Sequence, residues 1–301
     1  MTKAKIKKIF RDNYTGWLFN LPLFLGLLIF TLIPVCCSFY YSFWKHDGIS
    51  FLSFKGLDNY IKIFTDDKEI GQVVINTLVY TLVSIPLSLI VSYFLALLVN
   101  KEAKGVKVFR VLYYLPCMIP TVASGLLWKD MFDKTYGVFN KILGAFGLGP
   151  YPFFSDASTA MLSVFLMSLW SMGGSMILWL SAFKNISPQY YEAAELDGAG
   201  RLTKLIKITI PMSTPMIFYN MIMSVIGTLQ YTGTLTFASR DGRGPDNSLY
   251  MYAVKIYREA FIKQDTLGYA CALAWVLLIV IGCITAVLFK TSKWVFYGED
   301  A

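Results

Sequence analysis

The sequence predicts an all-α membrane protein that crosses the bilayer six times. Hydrophobic residues make up 56% of the 301 residues and charged residues only 15%, and the mean hydropathy is +0.54. A soluble protein of this composition would lack enough polar residues to cover its surface. The apolar residues also occur in blocks of about 20 or more, which is the length that a helix needs to cross about 30 Å of hydrocarbon.

The six apolar blocks are almost free of ionisable side chains. Lys129 and Lys290 stand at the ends of two blocks, and several prolines occur inside them, where neighbouring helices or water can satisfy the carbonyls that a proline frees. Proton-driven carriers usually hold ionisable relays in mid-membrane, so we expect any energy source to lie outside these blocks. The predicted spans are residues 17–43, 72–99, 111–129, 159–183, 208–233 and 268–290.

The distribution of Lys and Arg predicts that both termini lie in the cytoplasm. Basic residues are enriched in cytoplasmic loops. Their density favours 1–16, 100–110, 184–207 and 290–301 as cytoplasmic segments, and 44–71, 129–158 and 234–267 as outside segments. The basic arm 1–16 also attracts anionic membrane lipid. The net charge of +8 therefore requires no nucleic-acid partner.

The residue inventory excludes the common catalytic and metal sites. His46 is the single histidine, so neither an HExxH site nor a Ser-His-Asp triad can form within this chain. The sequence contains no Gly-Lys dipeptide and therefore no Walker A loop, and its five cysteines lack CxxC spacing. We therefore expect neither catalysis nor a cofactor in this chain. The acids of the first outside segment indicate a solvated face: Asp47, Asp58, Asp66, Asp67 and Glu69.

The stretch YEAAELDGAG, residues 191–200, is acidic and rich in glycine and alanine, and it lies between two long apolar segments of a basic chain. Ser187 and Pro188 indicate a helix start, because a serine hydroxyl can cap free amides and proline suits the first helical position. A short helix follows, with Glu192 and Glu195 expected in its early turns near the positive end of the dipole. Glycines at 198 and 200 predict a sharp turn into a second amphipathic helix. A plain interhelical loop is the alternative.

The spacing of this stretch resembles the EAA signature of the permease subunits of binding-protein-dependent ABC importers. The pattern is Glu192-Ala193-Ala194, three residues, Gly198, nine residues, Ile208, one residue and Ile210-Pro211, with Ile210 replacing the usual leucine. Further segments are similar to the maltose and multiple-sugar branch of that family. They are GLDNYIKIF at 56–64, NTLVYTL at 76–82, FRVLYYLPCMIP at 109–120, GPDNS at 244–248 and YREAF at 257–261. ASRDGRGP replaces the compact Thr-Gly-Gly-Gly-Pro turn of that branch.

The resemblance implies a type I ABC importer permease fold with a cytoplasmic coupling helix. It implies one transmembrane permease domain over 1–301, with a five-helix core at 72–290 and a coupling loop at 184–207. The expected partners are a second homologous permease in a heterodimer, two ATP-binding subunits that hold ATP and Mg, and an extracellular sugar-binding protein, all at a bacterial cytoplasmic membrane. The residues expected to couple to the ATPase are Glu192, Ala193, Ala194, Asp197, Gly198 and Arg201.

A carbohydrate site should offer hydroxyls, amides and aromatic faces instead of charges. Ser168, Ser171 and Ser175 follow helical spacing and share one helix face. By resemblance, the sugar contacts are Ser168, Ser171, Met172, Ser175, Gly227 and Gln230. The same small residues can serve only helix packing, and the partner permease can hold the sugar site instead. An ion-coupled secondary transporter and a non-transporting scaffold are the alternative functions, and the cargo is open between sugars of different length and a glycerol-phosphate-like compound.

Overall fold

The computed structural model describes residues 14–100, 104–232 and 242–296, which are helical apart from turns, loops and one two-stranded hairpin. Residues 1–13 of the predicted arm and residues 238–241 of the stretch ASRDGRGP lie outside the described residues. In chain order the elements are α1 (Tyr14–Leu27), α2 (Ile33–Tyr41), β1 (Trp44–His46), β2 (Phe51–Phe54), α3 (Asp58–Thr65), α4 (Ile70–Val99), α5 (Val106–Tyr114), α6 (Thr121–Met131), α7 (Val138–Ala145), α8 (Ala157–Trp170), α9 (Gly173–Lys184), α10 (Pro188–Leu196), α11 (Arg201–Lys204), α12 (Ile210–Met212), α13 (Thr214–Leu229), α14 (Tyr252–Phe261) and α15 (Leu267–Lys290). Short π-helical segments, Leu28–Leu32 and Leu205–Thr209, continue α1 into α2 and α11 into α12.

Three helical segments are long and apolar enough to cross a membrane without a break. They are Gly16–Tyr41 with 26 residues, Ile70–Val99 with 30 and Leu267–Lys290 with 24. Three further segments consist of two helices that bend by 102° after Met118, by 48° after Trp170 and by 63° after Met212. The chain has up to six spans if each bent pair is one span. The number six therefore stays a prediction, and the third, fourth and fifth predicted spans are broken helices.

Proline accompanies two of the three breaks. Ile119 is extended, with a ψ of 128°, because the ring of Pro120 disfavours helical backbone in the residue before it. Pro215 lies in the first turn of α13, directly after the break that follows Met212. The break between α8 and α9 contains no proline. There a Cβ on Gly173 would lie 1.9 Å from the Tyr113 carbonyl oxygen, so glycine is required for the close approach of α9 to the end of α5.

The described residues divide into two compact units, 1–66 with 259–275 and 67–258 with 276–301. The first unit contains the antiparallel hairpin, in which Trp44 pairs with Phe54 and Lys45 with Ser53. His46 is 4% exposed, stacks on Tyr41 at 4.7 Å and accepts a hydrogen bond from the Gly48 amide at 2.8 Å. The single histidine is therefore a packing residue of the hairpin.

The second unit is organised around the long helix α4, against which α9 and α13 pack. Trp179 is fully buried, and its Nε1 donates to the Ser92 hydroxyl at 2.9 Å. Tyr93 contacts the Trp179 ring edge-on at 5.0 Å. One hydrophobic cluster joins the C-terminal half of α4 to α9: Ala96, Val99, Met176, Trp179, Leu180 and Phe183. This cluster fixes the position of α9, whose last residue, Lys184, is the first residue of the predicted coupling loop.

A buried ion-pair clamp closes the other end of α4. Lys255 is 1% exposed, and its Nζ lies 2.8 Å from Asp67 and 2.9 Å from Glu69. Glu69 also pairs with Arg243 at 3.1 Å and accepts from the Tyr250 hydroxyl at 3.2 Å. The prediction of a solvated acidic face is therefore wrong for Asp67 and Glu69. Burial alone would lower the pKa of Lys255, but the hydrogen bonds to the two carboxylates outweigh it, and its pKa is raised.

Candidate functional site

The predicted corner between two helices is present at residues 188–204. Pro188 takes the first position of α10, as predicted. The helix ends in a Schellman motif, in which the Gly198 amide donates to the Glu195 carbonyl at 3.0 Å and the Ala199 amide donates to the Ala194 carbonyl at 2.8 Å. Gly198 has a φ of +75°, which glycine adopts at little cost. A Cβ there would meet no atom within 4 Å, so the backbone conformation is what requires glycine.

Three local expectations for this corner are wrong. The Ser187 side chain makes no capping hydrogen bond. Gly200 has a φ of −69° and a ψ of 168°, an extended conformation that other residues also adopt. The first turn of α10 contains no acid, and Glu195 lies in the last turn. The cause is the short length of α10: it begins at Pro188, so Glu192 lies in its second turn, and it ends at Leu196, one residue after Glu195.

Two side-chain contacts hold the angle of the corner. Lys204 Nζ lies 2.5 Å from a carboxylate oxygen of Glu195 and so ties α11 to the end of α10. The Tyr191 hydroxyl lies 3.0 Å from the hydroxyl of the buried Thr209. The hydrogen bond from Lys204 holds the pKa of the Glu195 carboxyl below its usual range. The sequence analysis did not predict the Glu195–Lys204 pair. Opposite charges on the two sides of the glycine turn could have indicated it.

The residues predicted to couple to the ATPase form an exposed surface on this corner. Ala194 is half-buried, and the others are exposed: Glu192, Ala193, Asp197, Gly198 and Arg201. In the part of the chain that the structure describes, none of the three charged members makes an ion pair with another described residue. Unpredicted apolar residues extend the surface, since Leu196 is 91% exposed and Leu202 is 68% exposed. Exposed apolar and unpaired charged groups on a rigid corner are suited to contact with another protein.

A cavity of about 490 Å³ lies where two of the bent helix pairs break. Its volume falls in the range of about 300–1,000 Å³ that is usual for small-molecule sites. Four serines, one threonine and two tyrosines contribute hydroxyls to a lining in which every residue is uncharged: Tyr80, Pro116, Cys117, Ile119, Thr121, Ser124, Met167, Ser168, Ser171, Gly174, Ser175 and Tyr231. We call it the serine-lined cavity.

Hydrogen bonds and ring contacts fix the walls of the serine-lined cavity. Cys117 Sγ accepts from the Gly174 amide at 3.1 Å and donates to the Ser171 carbonyl at 3.2 Å, which joins the first bent pair to the second. The Tyr80 ring stacks on Phe165 at 5.9 Å and lies 4.7 Å from the Tyr231 ring. The cavity therefore combines hydroxyls with aromatic faces.

The structure brings together only half of the predicted sugar contacts. Ser168, Ser171 and Ser175 line the cavity, as their helical spacing indicates. Met172 is 6% exposed, and Gly227 and Gln230 are exposed without lining the cavity. Sequence reasoning missed the lining residues Tyr80, Cys117, Thr121 and Ser124, which other helices contribute. It placed Tyr231 in mid-membrane without assigning it a sugar contact. The paired prolines at 116 and 120 are the signal that could have located the bend at this cavity.

Metal ligation is not indicated within residues 14–100, 104–232 and 242–296. There the structure contains no group of three or more His, Cys, Asp or Glu side chains that could hold an ion. The five cysteines are free thiols.

Comparison with known proteins defines the class of this chain. Residues 70–292 match the family described as "Binding-protein-dependent transport system inner membrane component". The chain belongs to this family. It is accordingly a multi-pass component of the bacterial inner membrane that serves in transport and is not an enzyme.

Individual relatives extend the similarity over nearly the whole chain. The chain is 36% identical to "Probable ABC transporter permease protein YesP" of Bacillus subtilis (strain 168), covering 97% of this chain and 95% of YesP. It is 28% identical to "Lactose transport system permease protein LacF" of Rhizobium radiobacter, covering 97% and 98%. A bacterial ABC transporter involved in the import of the acidic polysaccharide alginate superposes with a TM-score of 0.83 at 22% identity, covering 96% of this chain and 98% of that chain. This likeness confirms the predicted type I ABC importer permease fold.

Proposed function

We propose that this permease moves a neutral carbohydrate, delivered by an extracellular binding protein, through the serine-lined cavity. The observation that carries the proposal is the uncharged lining of that cavity, with its hydroxyls and two tyrosine rings. A sugar is recognised by hydrogen bonds to its hydroxyls and by aromatic faces against its apolar side. The name of LacF supports a saccharide cargo, and the likeness to the alginate importer supports the fold in which such a cargo moves.

The absence of charge in the lining favours a neutral cargo. A carboxylate or phosphate moved into a site without cations would lose its hydration with no compensating partner. Ser168 and Ser171 donate their hydroxyl hydrogens to backbone carbonyls at 2.7 and 3.1 Å. Their oxygens remain able to accept hydrogen bonds from sugar hydroxyls. We propose Ser168, Ser171 and Ser175 as sugar contacts, together with Tyr80 and Tyr231.

We propose that the corner at 188–204 is where the permease receives the energy of ATP hydrolysis from a partner ATPase. A partner ATPase that binds ATP and Mg would receive the exposed surface made by Glu192, Ala193, Asp197 and the apolar Leu196. Ala194 and Gly198 allow a close approach, and Arg201 begins the helix that leads toward the membrane. The unpaired charges and the 91% exposure of Leu196 support this assignment, since contact with a partner would bury and pair them.

The same proposal assigns the assembly and the orientation. The corner lies on the cytoplasmic side, both termini lie in the cytoplasm and the bent helix pairs complete six spans. A second homologous permease forms a heterodimer with this chain, and two ATP-binding subunits contact the two corners. The density of Lys and Arg in 184–207 supports this orientation, and the family description supports the requirement for a binding protein.

A cavity-filling variant tests the proposed cargo path. Gly174 lines the cavity and Gly282 lies on an exposed face of α15 with no atom within 4 Å of a Cβ. In proteoliposomes that contain the whole transporter and its binding protein, Gly174→Leu is expected to abolish uptake of a radiolabelled neutral disaccharide, and the matched control Gly282→Leu to retain it. Unchanged uptake by Gly174→Leu would overturn the assignment. Uptake driven by an ion gradient without ATP would instead establish a secondary transporter.

A further inference from the structure

A second pocket lies on the flank of the same helices, apart from the serine-lined cavity. It has a volume of about 460 Å³ and lies between α5 and α9. Val111, Ile177 and Leu180 form its apolar wall. Arg110, Lys184 and Ser181 supply its polar groups, together with the hydroxyl of Tyr114. We call this pocket the Arg110–Lys184 groove.

The two cations of the groove lie at the end of the helices that carries the 188–204 corner. Lys184 is the last residue of α9, three residues before Ser187. The Arg110 guanidinium donates to the carbonyl of Val99, the last residue of α4, from Nε at 3.2 Å and from Nη2 at 2.7 Å. Ile177 precedes Lys184 by seven residues, which is about 10 Å along a helix. The groove is therefore cationic at the membrane boundary and apolar deeper in the membrane.

The charge of the groove is not neutralised by any residue that the structure describes. Among the described residues, no carboxylate lies within ion-pair distance of Arg110 or Lys184. Arg110 uses two of its N–H groups on the Val99 carbonyl and a guanidinium has five. The hydroxyls of Ser181 and Tyr114 make no hydrogen bond to another described residue. Within the described residues, the groove thus combines positive charge and spare hydrogen-bond donors with a single acceptor, the Val99 carbonyl.

The apolar wall of the groove is open to its surroundings. Val111 is 63% exposed and Ile177 is 44% exposed, and both belong to predicted membrane spans, 111–129 and 159–183. A free phosphate would leave this wall uncovered, whereas an acyl chain would cover it. The combination of two cations, free hydroxyls and an exposed apolar wall fits a single molecule that has an anionic head and a hydrocarbon tail.

We propose that the Arg110–Lys184 groove binds one anionic phospholipid, with the phosphate between the two cations and an acyl chain along Val111 and Ile177. Basic pockets between membrane helices on the cytoplasmic side bind anionic head groups in this way. The proposal rests on the proposed orientation, which places the groove in the cytoplasmic leaflet. The lipid would brace the end of α9 directly before the 188–204 corner, so anionic lipid should also raise the ATPase activity of the assembled transporter.

Native mass spectrometry of the whole transporter, released from nanodiscs of phosphatidylcholine with added phosphatidylglycerol, tests the site. We expect Lys184→Gln to weaken retention of phosphatidylglycerol about fivefold, the effect of one lysine at a membrane surface. Lys290→Gln is the matched control, because Lys290 is also the last residue of a span. Equal retention by Lys184→Gln and the wild type would overturn the proposal, as would displacement of the lipid by millimolar glycerol phosphate, which would indicate a site for a free anion.

Two further measurements separate this inference from the proposals on which it rests. Crosslinking from position 184 should reach lipid, and crosslinking to the second permease instead would show that a subunit covers the groove and would overturn the lipid assignment. Lipid retention needs no cargo, so a failed sugar-uptake experiment leaves the lipid result intact. Labelling of a cysteine at position 184 from the outside would refute the orientation, and with it the placement of the lipid in the cytoplasmic leaflet.

Discussion

The ion-pair clamp and the 188–204 corner lie at opposite ends of α4. Charged side chains are buried and paired in the clamp, whereas most of those in the corner are exposed. In the clamp, Lys255 is 1% exposed and contacts two carboxylates. In the corner, Glu195 with Lys204 is the only ion pair among the described residues, and Glu195 is 65% exposed. One end of the helix is closed by the chain itself, whereas the other presents unpaired charges and exposed apolar side chains. This contrast indicates that the corner, not the clamp, is built to meet a partner.

Replacement of the buried Lys255 should break the clamp and should have the largest effect of the three substitutions, a loss of folding stability. Lys255→Met removes the cation that Asp67 and Glu69 share, and removal of one partner from a buried ion pair costs about 3–5 kcal/mol. We expect a clearly lower melting temperature for the purified transporter in detergent. Lys68→Met is the matched control, because Lys68 is exposed in the same segment. Equal melting of the two variants would show that the clamp does not stabilise the fold.

A substitution at Gly198 should break the corner without unfolding the rest of the chain. Valine at a φ of +75° is strained by about 1–2 kcal/mol, and relief of that strain would change the angle between α10 and α11. We expect ATP hydrolysis stimulated by the loaded binding protein to fall sharply, with the variant still present in the membrane. Gly200→Val is the control, since Gly200 is extended and has open space around it. Normal stimulation in Gly198→Val would contradict the role of the corner.

Removal of the exposed ion pair between Glu195 and Lys204 should have the smallest effect, a slight local loosening of the corner. The pKa of Glu195 is depressed in the folded chain, so its contribution is present above the usual range of a glutamate and is lost as the pH falls through the folded value. At neutral pH, Glu195→Gln should speed hydrogen exchange of the Ala199 and Lys204 amides slightly. The wild type should approach the variant in acid. Glu192→Gln, which removes an unpaired charge, should change neither amide, and an equal change in both variants would refute the pairing.

The sequence predicted local features better than contacts between distant segments. Pro188 and Gly198 could be read because a helix start and a left-handed turn depend on a few neighbouring residues. The clamp could not be read, because Asp67 and Lys255 meet only after the intervening helices pack. Proline was ambiguous for the same reason, since Pro86 lies inside the continuous α4 whereas Pro120 follows a break. For the cavity, helical spacing predicted the lining serines of one bent pair. The lining residues that other helices contribute could be identified only from the fold.

The helical path from the corner to the serine-lined cavity constrains the number of residues in 201–231. From Arg201 the backbone runs helically to Met212, bends by 63° and continues to Leu229, and Tyr231 then lines the serine-lined cavity. Each residue of an α-helix turns the chain by about 100°. One inserted residue would therefore rotate Tyr231 away from the cavity while leaving every side chain unchanged. The number of residues between the corner and the cavity therefore determines which way Tyr231 faces. We expect insertions and deletions in 201–231 to abolish function even at positions where single substitutions are tolerated.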